Sequence, residues 1–133
     1  MTRLLTAAVF SVLVVAGHAQ QTRGAAAPAL ANPVPVNAQS IAAGKQVFDK
    51  YCKFCHGPDA KGNGPLAPQS THPPDLTDAN WEHGSGDGDI YTNIREGIGP
   101  KMDMKGFKSK LTDKEMWSVV NYVRSLGPPV TRR

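Results

Sequence analysis

Cys52-Lys53-Phe54-Cys55-His56, with Gly44 and Phe48 upstream and Gly57 directly after it, is the stretch on which the reading of this chain turns. It sets two thiols about one helical turn apart and places an imidazole beside the second. Around it the chain is short, with 133 residues, 15 Lys and Arg against 11 Asp and Glu, and 2 Cys. That length suits one domain with a modest core. An apolar fraction of 40%, with 13 Gly and 11 Pro, makes the chain loop-rich. This excludes a bundle of long helices, a collagen-like repeat and a multi-pass membrane protein. The net charge of +4 is mild. Without dense Lys/Arg clustering, a nucleic-acid partner is excluded as well. Two cysteines do not make a disulfide-rich scaffold, so their spacing matters more than their number.

The N-terminal residues set the compartment. Residues 1–19, MTRLLTAAVFSVLVVAGHA, have the shape of a secretory signal peptide: Arg3, an apolar run from Leu4 to Ala16, then small residues at the cleavage position. The rival reading is an uncleaved membrane anchor, but as a helix that run covers about 20 Å, short of the ~30 Å hydrocarbon core; no stable membrane insertion is expected once the signal is cleaved. The expected location is the periplasm or another extracytoplasmic space, where the redox poise is oxidising. Residues 20–37 are rich in Ala and Pro and contain no aromatic residue, which predicts a disordered leader. The globular domain is expected over 38–127, followed by a tail at 128–133.

Three helices are predicted. In the first, Ser40 is read as the cap of Ile41–Tyr51, with Ile41, Gly44, Phe48 and Tyr51 on one face. The second starts between Asp87 and Asp89, carries Ile90, Tyr91 and Ile94, and stops at Gly97. The third opens on a capping box of Thr112 and Glu115 and carries Met116, Val119, Val120, Val123 and Leu126 before Gly127-Pro128-Pro129 ends it. Between the first two lies a stretch of about thirty residues with no helix or strand period. A loop that long in so small a domain implies that part of the core is not protein.

In an exported chain, C-x-x-C-H reads as covalent haem attachment. Two thiols on one turn each add to a vinyl group, and the following histidine reaches the iron from the same side. Cys52 and Cys55 are the expected anchors, His56 the proximal ligand, and the cofactor one haem c with its iron. Other readings fit less well. A Cys52–Cys55 disulfide closes a strained short loop and leaves His56 unexplained. A thioredoxin-like pair needs a βαβ setting. Zinc would need two more donors from His56, His72 and His83, with no second motif to supply them.

With Gly44-x-x-x-Phe48, Cys52-x-x-Cys55-His56-Gly57, a Pro-rich middle, a methionine, and Trp117-x-x-x-x-Tyr122-Val123-Arg124-Ser125-Leu126, the chain resembles a single-haem class I cytochrome c over residues 38–127. The resemblance implies an all-α fold with three main helices around a covalently bound haem, joined by long irregular loops. It implies that Gly44 and Phe48 pack on Tyr122 where the first and last helices cross. It also implies that a carbonyl of the Pro73-Pro74-Asp75-Leu76-Thr77 turn holds the imidazole N–H of His56. Trp81 and Arg95 are candidates to meet the haem propionates.

Candidates for the second axial ligand are His72, His83, Met102, Met104 and Met116. Met116 sits among apolar helix residues and reads as core; the two histidines lie in polar loops. The family presents its distal methionine in a segment like Gly97–Leu111, and a thioether favours ferrous iron. Within that segment Met104 is preferred over Met102, because Phe107 follows it at the family's aromatic position. The proline that family members commonly place just after the ligand is replaced by Lys105, which implies a softer loop. The functional expectation is an electron carrier rather than an enzyme, passing single electrons between redox proteins. The alternative is a cytochrome subunit or dedicated electron acceptor of an extracytoplasmic dehydrogenase or oxidase complex. An open-haem enzyme or gas sensor would require the methionine to be absent or labile. Lys101, Lys105, Lys108 and Lys110 are the expected docking rim for a redox partner, with the chain a monomer or a subunit of a redox complex.

Overall fold

The computed structural model describes residues 29–68, 70, 72–100 and 103–128. The signal segment, the first part of the leader, Lys101, Met102 and the end of the tail lie outside these. The fold is small and mostly helical, in the order α1 (Ala38–Tyr51), α2 (Lys53–His56), α3 (Asp87–Glu96), β1 (Gly97–Ile98), β2 (Met104–Lys105) and α4 (Asp113–Leu126). β1 and β2 form an antiparallel ladder of two residue pairs, Gly97 with Lys105 and Ile98 with Met104. As the resemblance implies, three main helices carry the architecture. No described helix is long and apolar enough to cross a membrane.

α1 begins earlier than predicted. Asn37 is its cap, and Ser40 is the partner inside the first turn: Asn37 Oδ1 accepts from Ser40 N at 2.8 Å, and Ser40 Oγ accepts from Asn37 N at 3.1 Å. This reciprocal pair satisfies two otherwise orphaned N–H groups and extends the helix to Ala38. α4 starts as predicted, with Thr112 Oγ1 accepting from Glu115 N and the Glu115 carboxylate accepting from Thr112 N. α3 carries two acids in its first turn and stops at Gly97, whose φ of 88° favours glycine.

α1 and α4 cross at Gly44. A methyl there would overlap the Ser118 carbonyl oxygen and come within 2.9 Å of Tyr122 Cβ. Phe48 then stacks obliquely on Tyr122, with ring centroids 5.3 Å apart. α3 packs on α4 through Tyr91, which lies parallel to Trp117 at 4.1 Å and donates its hydroxyl to Asp113 at 2.6 Å.

The end of the expected leader is ordered by a buried asparagine. Asn121 is 1% exposed. Its Oδ1 accepts from Asn32 Nδ2 at 2.8 Å, and its Nδ2 donates to the Val34 and Pro35 carbonyls and to Ser40 Oγ. Val34 packs against the core. Composition predicted no structure here because it counts apolar burial only. The strap is held instead by the hydrogen bonds of an amide that sits on α4, far along the chain.

Candidate functional site

Cys52 ends α1, and its φ of −105° and ψ of −37° keep the chain helical enough for α2 to follow at once. Gly57 then turns the backbone away at a φ of 81°. This one turn brings Cys52, Cys55 and His56 to the wall of a cavity of about 860 Å³. Leu76, Trp81, Ile90, Ile94, Val119 and Val123 supply much of the remaining wall, and Met104 and Phe107 line it as well. Helices α1, α3 and α4 thus each give one apolar stripe to the cavity, and the long loop closes part of it.

Both cysteines are free. Burial pushes the Cys52 thiol up to about 12, and the neighbouring Cys55 adds to the rise. Cys55 is only partly buried, and its Sγ lies 3.5 Å from the Leu66 carbonyl oxygen. Burial holds His56 below the usual histidine range, so its imidazole is neutral and can act as a donor ligand. Its Nδ1 is buried and has no hydrogen-bond partner. The carbonyl bond implied for the Pro73–Pro74 turn is therefore not made in this structure. Pro73 and Pro74 do line the cavity, and the Pro73 carbonyl packs directly against Gly62. The long loop is tied to the motif by backbone bonds from Gly62 N to His56 O at 2.8 Å and from Leu76 N to Ala60 O at 2.9 Å.

These residues suit a haem c. Two cysteines carry the spacing of a haem c-binding motif beside a neutral imidazole, and they face an apolar cavity too large for side chains to fill. Among the described residues, no group of three His, Cys, Asp or Glu side chains is placed to hold a metal ion.

Of the distal candidates, Met104 is half-buried and lines the cavity, as do the exposed His72 and His83. Met116 is buried in the α4 core, and Met102 lies outside the described residues. The segment after Met104 is tied to α3 by the backbone: Phe107 N donates to Ile94 O at 2.9 Å and Lys108 N to Arg95 O at 3.2 Å.

Trp81 lines the cavity. Arg95 is drawn elsewhere, to Glu96 and to Asp113 at 4.0 Å. The cation beside Trp81 is Arg124, 4.9 Å from the ring centroid, held by Asp87 at 2.8 Å and by the Ser85 carbonyl. Its Nη1 is buried without a partner. Arg124 was not singled out because nothing local links it to a tryptophan more than forty residues earlier. Of the expected lysine rim, Lys105 and Lys110 are exposed, Lys108 pairs with Glu96 at 2.6 Å, and Lys101 lies outside the described residues.

The family profile of cytochrome c oxidase, cbb3-type, subunit III, matches residues 39–123. The cbb3-type cytochrome c oxidase subunit CcoP of Rhodobacter capsulatus is 36% identical over 98 residues, covering 70% of this chain and 31% of that protein. The chain thus spans about a third of the length of such relatives. Among solved structures, the reducing HAO-like protein complex Kustc0457/Kustc0458 of Kuenenia stuttgartiensis matches with a TM-score of 0.64 at 29% identity, over 72% of this chain and 47% of the other. The KustC0563 c-type cytochrome matches with a TM-score of 0.53 at 34% identity, over 64% of this chain and 98% of its own.

Proposed function

This chain belongs to the family of cytochrome c oxidase, cbb3-type, subunit III, and from that premise we propose that it is the c-type cytochrome subunit, or dedicated electron acceptor, of an extracytoplasmic redox complex. The observation that carries the reading is the Cys52–His56 turn opening onto the apolar cavity. In this reading Cys52 and Cys55 hold one haem by thioether bonds, and His56 and Met104 are the ligands to its iron. The bound haem supplies a reversible one-electron couple. The chain's own residues do the rest. The low basicity of buried His56 keeps a lone pair free at neutral pH. Ile90, Ile94, Val119 and Val123 exclude water, and Met104 offers a soft, neutral sulfur that favours the reduced state.

The relatives named as oxidase subunits support the subunit reading over a free shuttle. A freely diffusing carrier is the second reading, favoured by the nearly full-length match to the KustC0563 cytochrome. The test is the exported protein itself. A mass increase of one haem, a reduced spectrum of c type and no spectral change on adding carbon monoxide are expected. A carbon monoxide adduct at neutral pH would instead indicate an open iron site. Purification from native membranes then separates the two readings: co-elution with a larger redox complex supports the subunit, and elution at the size of this chain alone supports the shuttle.

Docking belongs to the same proposal, with Lys105 and Lys110 as exposed cations that follow Met104 in the chain. Replacing both by Gln is expected to slow electron exchange with the natural partner several-fold at low salt and little at high salt. Equal slowing across the salt series would remove the electrostatic role.

A further inference from the structure

Met104 sits on a segment whose backbone is fastened to the end of α3. The ties are the β1–β2 ladder, the Phe107 N bond to Ile94 O and the Lys108 N bond to Arg95 O. They close only because two positions lack a side chain. Gly97 has a φ of 88°. A methyl on it would overlap the Met104 carbonyl oxygen and come within 2.8 Å of Gly106 N. A methyl on Gly106 would lie 2.6 Å from the Glu96 carbonyl carbon and 2.7 Å from the Arg95 carbonyl oxygen. The obstructing atoms are backbone in both cases. Relief would have to come from moving the strand that carries Met104, since no side chain can turn aside.

Gly99 is an internal contrast. It has a comparable φ of 81°, but among the described residues the nearest atoms that a methyl there would meet belong to Asp103, an exposed side chain free to rotate. Backbone strain is therefore shared by Gly97 and Gly99, whereas the closure against Met104 belongs to Gly97 and Gly106.

We propose that Gly97 and Gly106 are positioning residues for Met104: their missing side chains let the Met104 strand close on α3, and that closure holds the thioether at the cavity. The proposal rests on Met104 being an axial ligand. The test uses the haem-loaded, exported full chain in five forms: unaltered, Met104→Ala, Gly97→Ala, Gly106→Ala and Gly99→Ala. Its readout is the sulfur-to-iron charge-transfer absorption of the oxidised protein, normalised to attached haem. Met104→Ala is expected to lose the band. Gly97→Ala and Gly106→Ala are expected to lose it about tenfold with haem content unchanged, and Gly99→Ala to keep it.

If Met104→Ala kept the band, the ligand assignment itself would fail. If Met104→Ala lost it while Gly97→Ala and Gly106→Ala kept it, the closure would be wrong and the assignment would stand. Equal loss in Gly99→Ala would reduce the effect to general loop strain and overturn the proposal. Should the two glycine variants not accumulate with haem, the unaltered protein decides. Exogenous imidazole is expected to displace the methionine no faster than the Phe107 and Lys108 amides open to hydrogen exchange. Displacement about tenfold faster than that opening would overturn the proposal.

Discussion

On one side of this domain, Gly44 lets α1 lie directly on the Ser118 carbonyl of α4, and Phe48 and Tyr122 fill the space beside it. On the other side, Leu76, Ile90, Ile94 and Val123 face one another across a cavity of about 860 Å³. The first interface is complete in protein atoms. In the second, apolar walls are held apart, so its stability depends on what occupies the space. A small chain with a thin core can thus be close-packed at a helix crossing and open on the side that faces the cavity.

The largest effect should come from breaking the second side. Cys52→Ala combined with Cys55→Ala removes both thiols that would anchor the occupant. Ordering a loop of some thirty residues, at about 1–2 kcal/mol each, then has too little burial to offset it. The double variant is expected to lose cooperative unfolding altogether and to be degraded after export. Recovery of a haem-free domain with a sharp urea transition would show that the helix crossing alone sustains the fold.

Gly44→Ala addresses the first side. The added methyl meets backbone, and overpacking of this kind costs about 1–3 kcal/mol, only partly offset by the better helix propensity of alanine. The urea midpoint of the haem-loaded protein should fall with the slope of the transition unchanged, and the visible absorption should stay as it is. A shifted absorption spectrum would mean that the two sides are mechanically coupled.

Sequence reading fared differently on these two sides. The crossing was legible through the resemblance, which pairs Gly44 and Phe48 with Tyr122, and α3 and α4 announced their ends through Gly97 and the Thr112–Glu115 box. The cysteine pair and His56 stood out because their spacing is local, five residues within one turn that the structure brings to the cavity wall. What was not legible depends on partners remote in sequence. Asn121 looked like an ordinary polar residue on a helix, yet it fixes the strap from Asn32 to Ser40. Arg124 stands against Trp81, although neither residue carries a sequence signal for the other, because Asp87 and the Ser85 carbonyl hold it there. The cap of α1 moved from Ser40 to Asn37, since either residue can begin a box and only the reciprocal bond between them decides.

The smallest expected effect lies at the start of α4, which serves both sides because its residues reach the crossing and the cavity. The Thr112 backbone N–H and hydroxyl both donate to the Glu115 carboxylate at 2.8 Å, and these bonds hold that carboxyl below its usual range, the backbone bond contributing most. A carboxylate whose folded-state pKa is lowered adds stability above its unfolded pKa, and that contribution fades as the pH falls through the lowered value. Both groups are exposed, so solvent screening keeps the electrostatic part small. Thr112→Ala removes the hydroxyl at both of its bonds and should cost about 1 kcal/mol at neutral pH. Glu115→Gln keeps an acceptor for Thr112 but no longer titrates, so its deficit relative to the unaltered protein should shrink as the pH is lowered through the carboxylate range. Urea transitions of the haem-loaded protein at neutral and acid pH measure both. A deficit for Glu115→Gln that stays constant with pH would show that the box works as a neutral hydrogen-bond pair, with no part played by the charge.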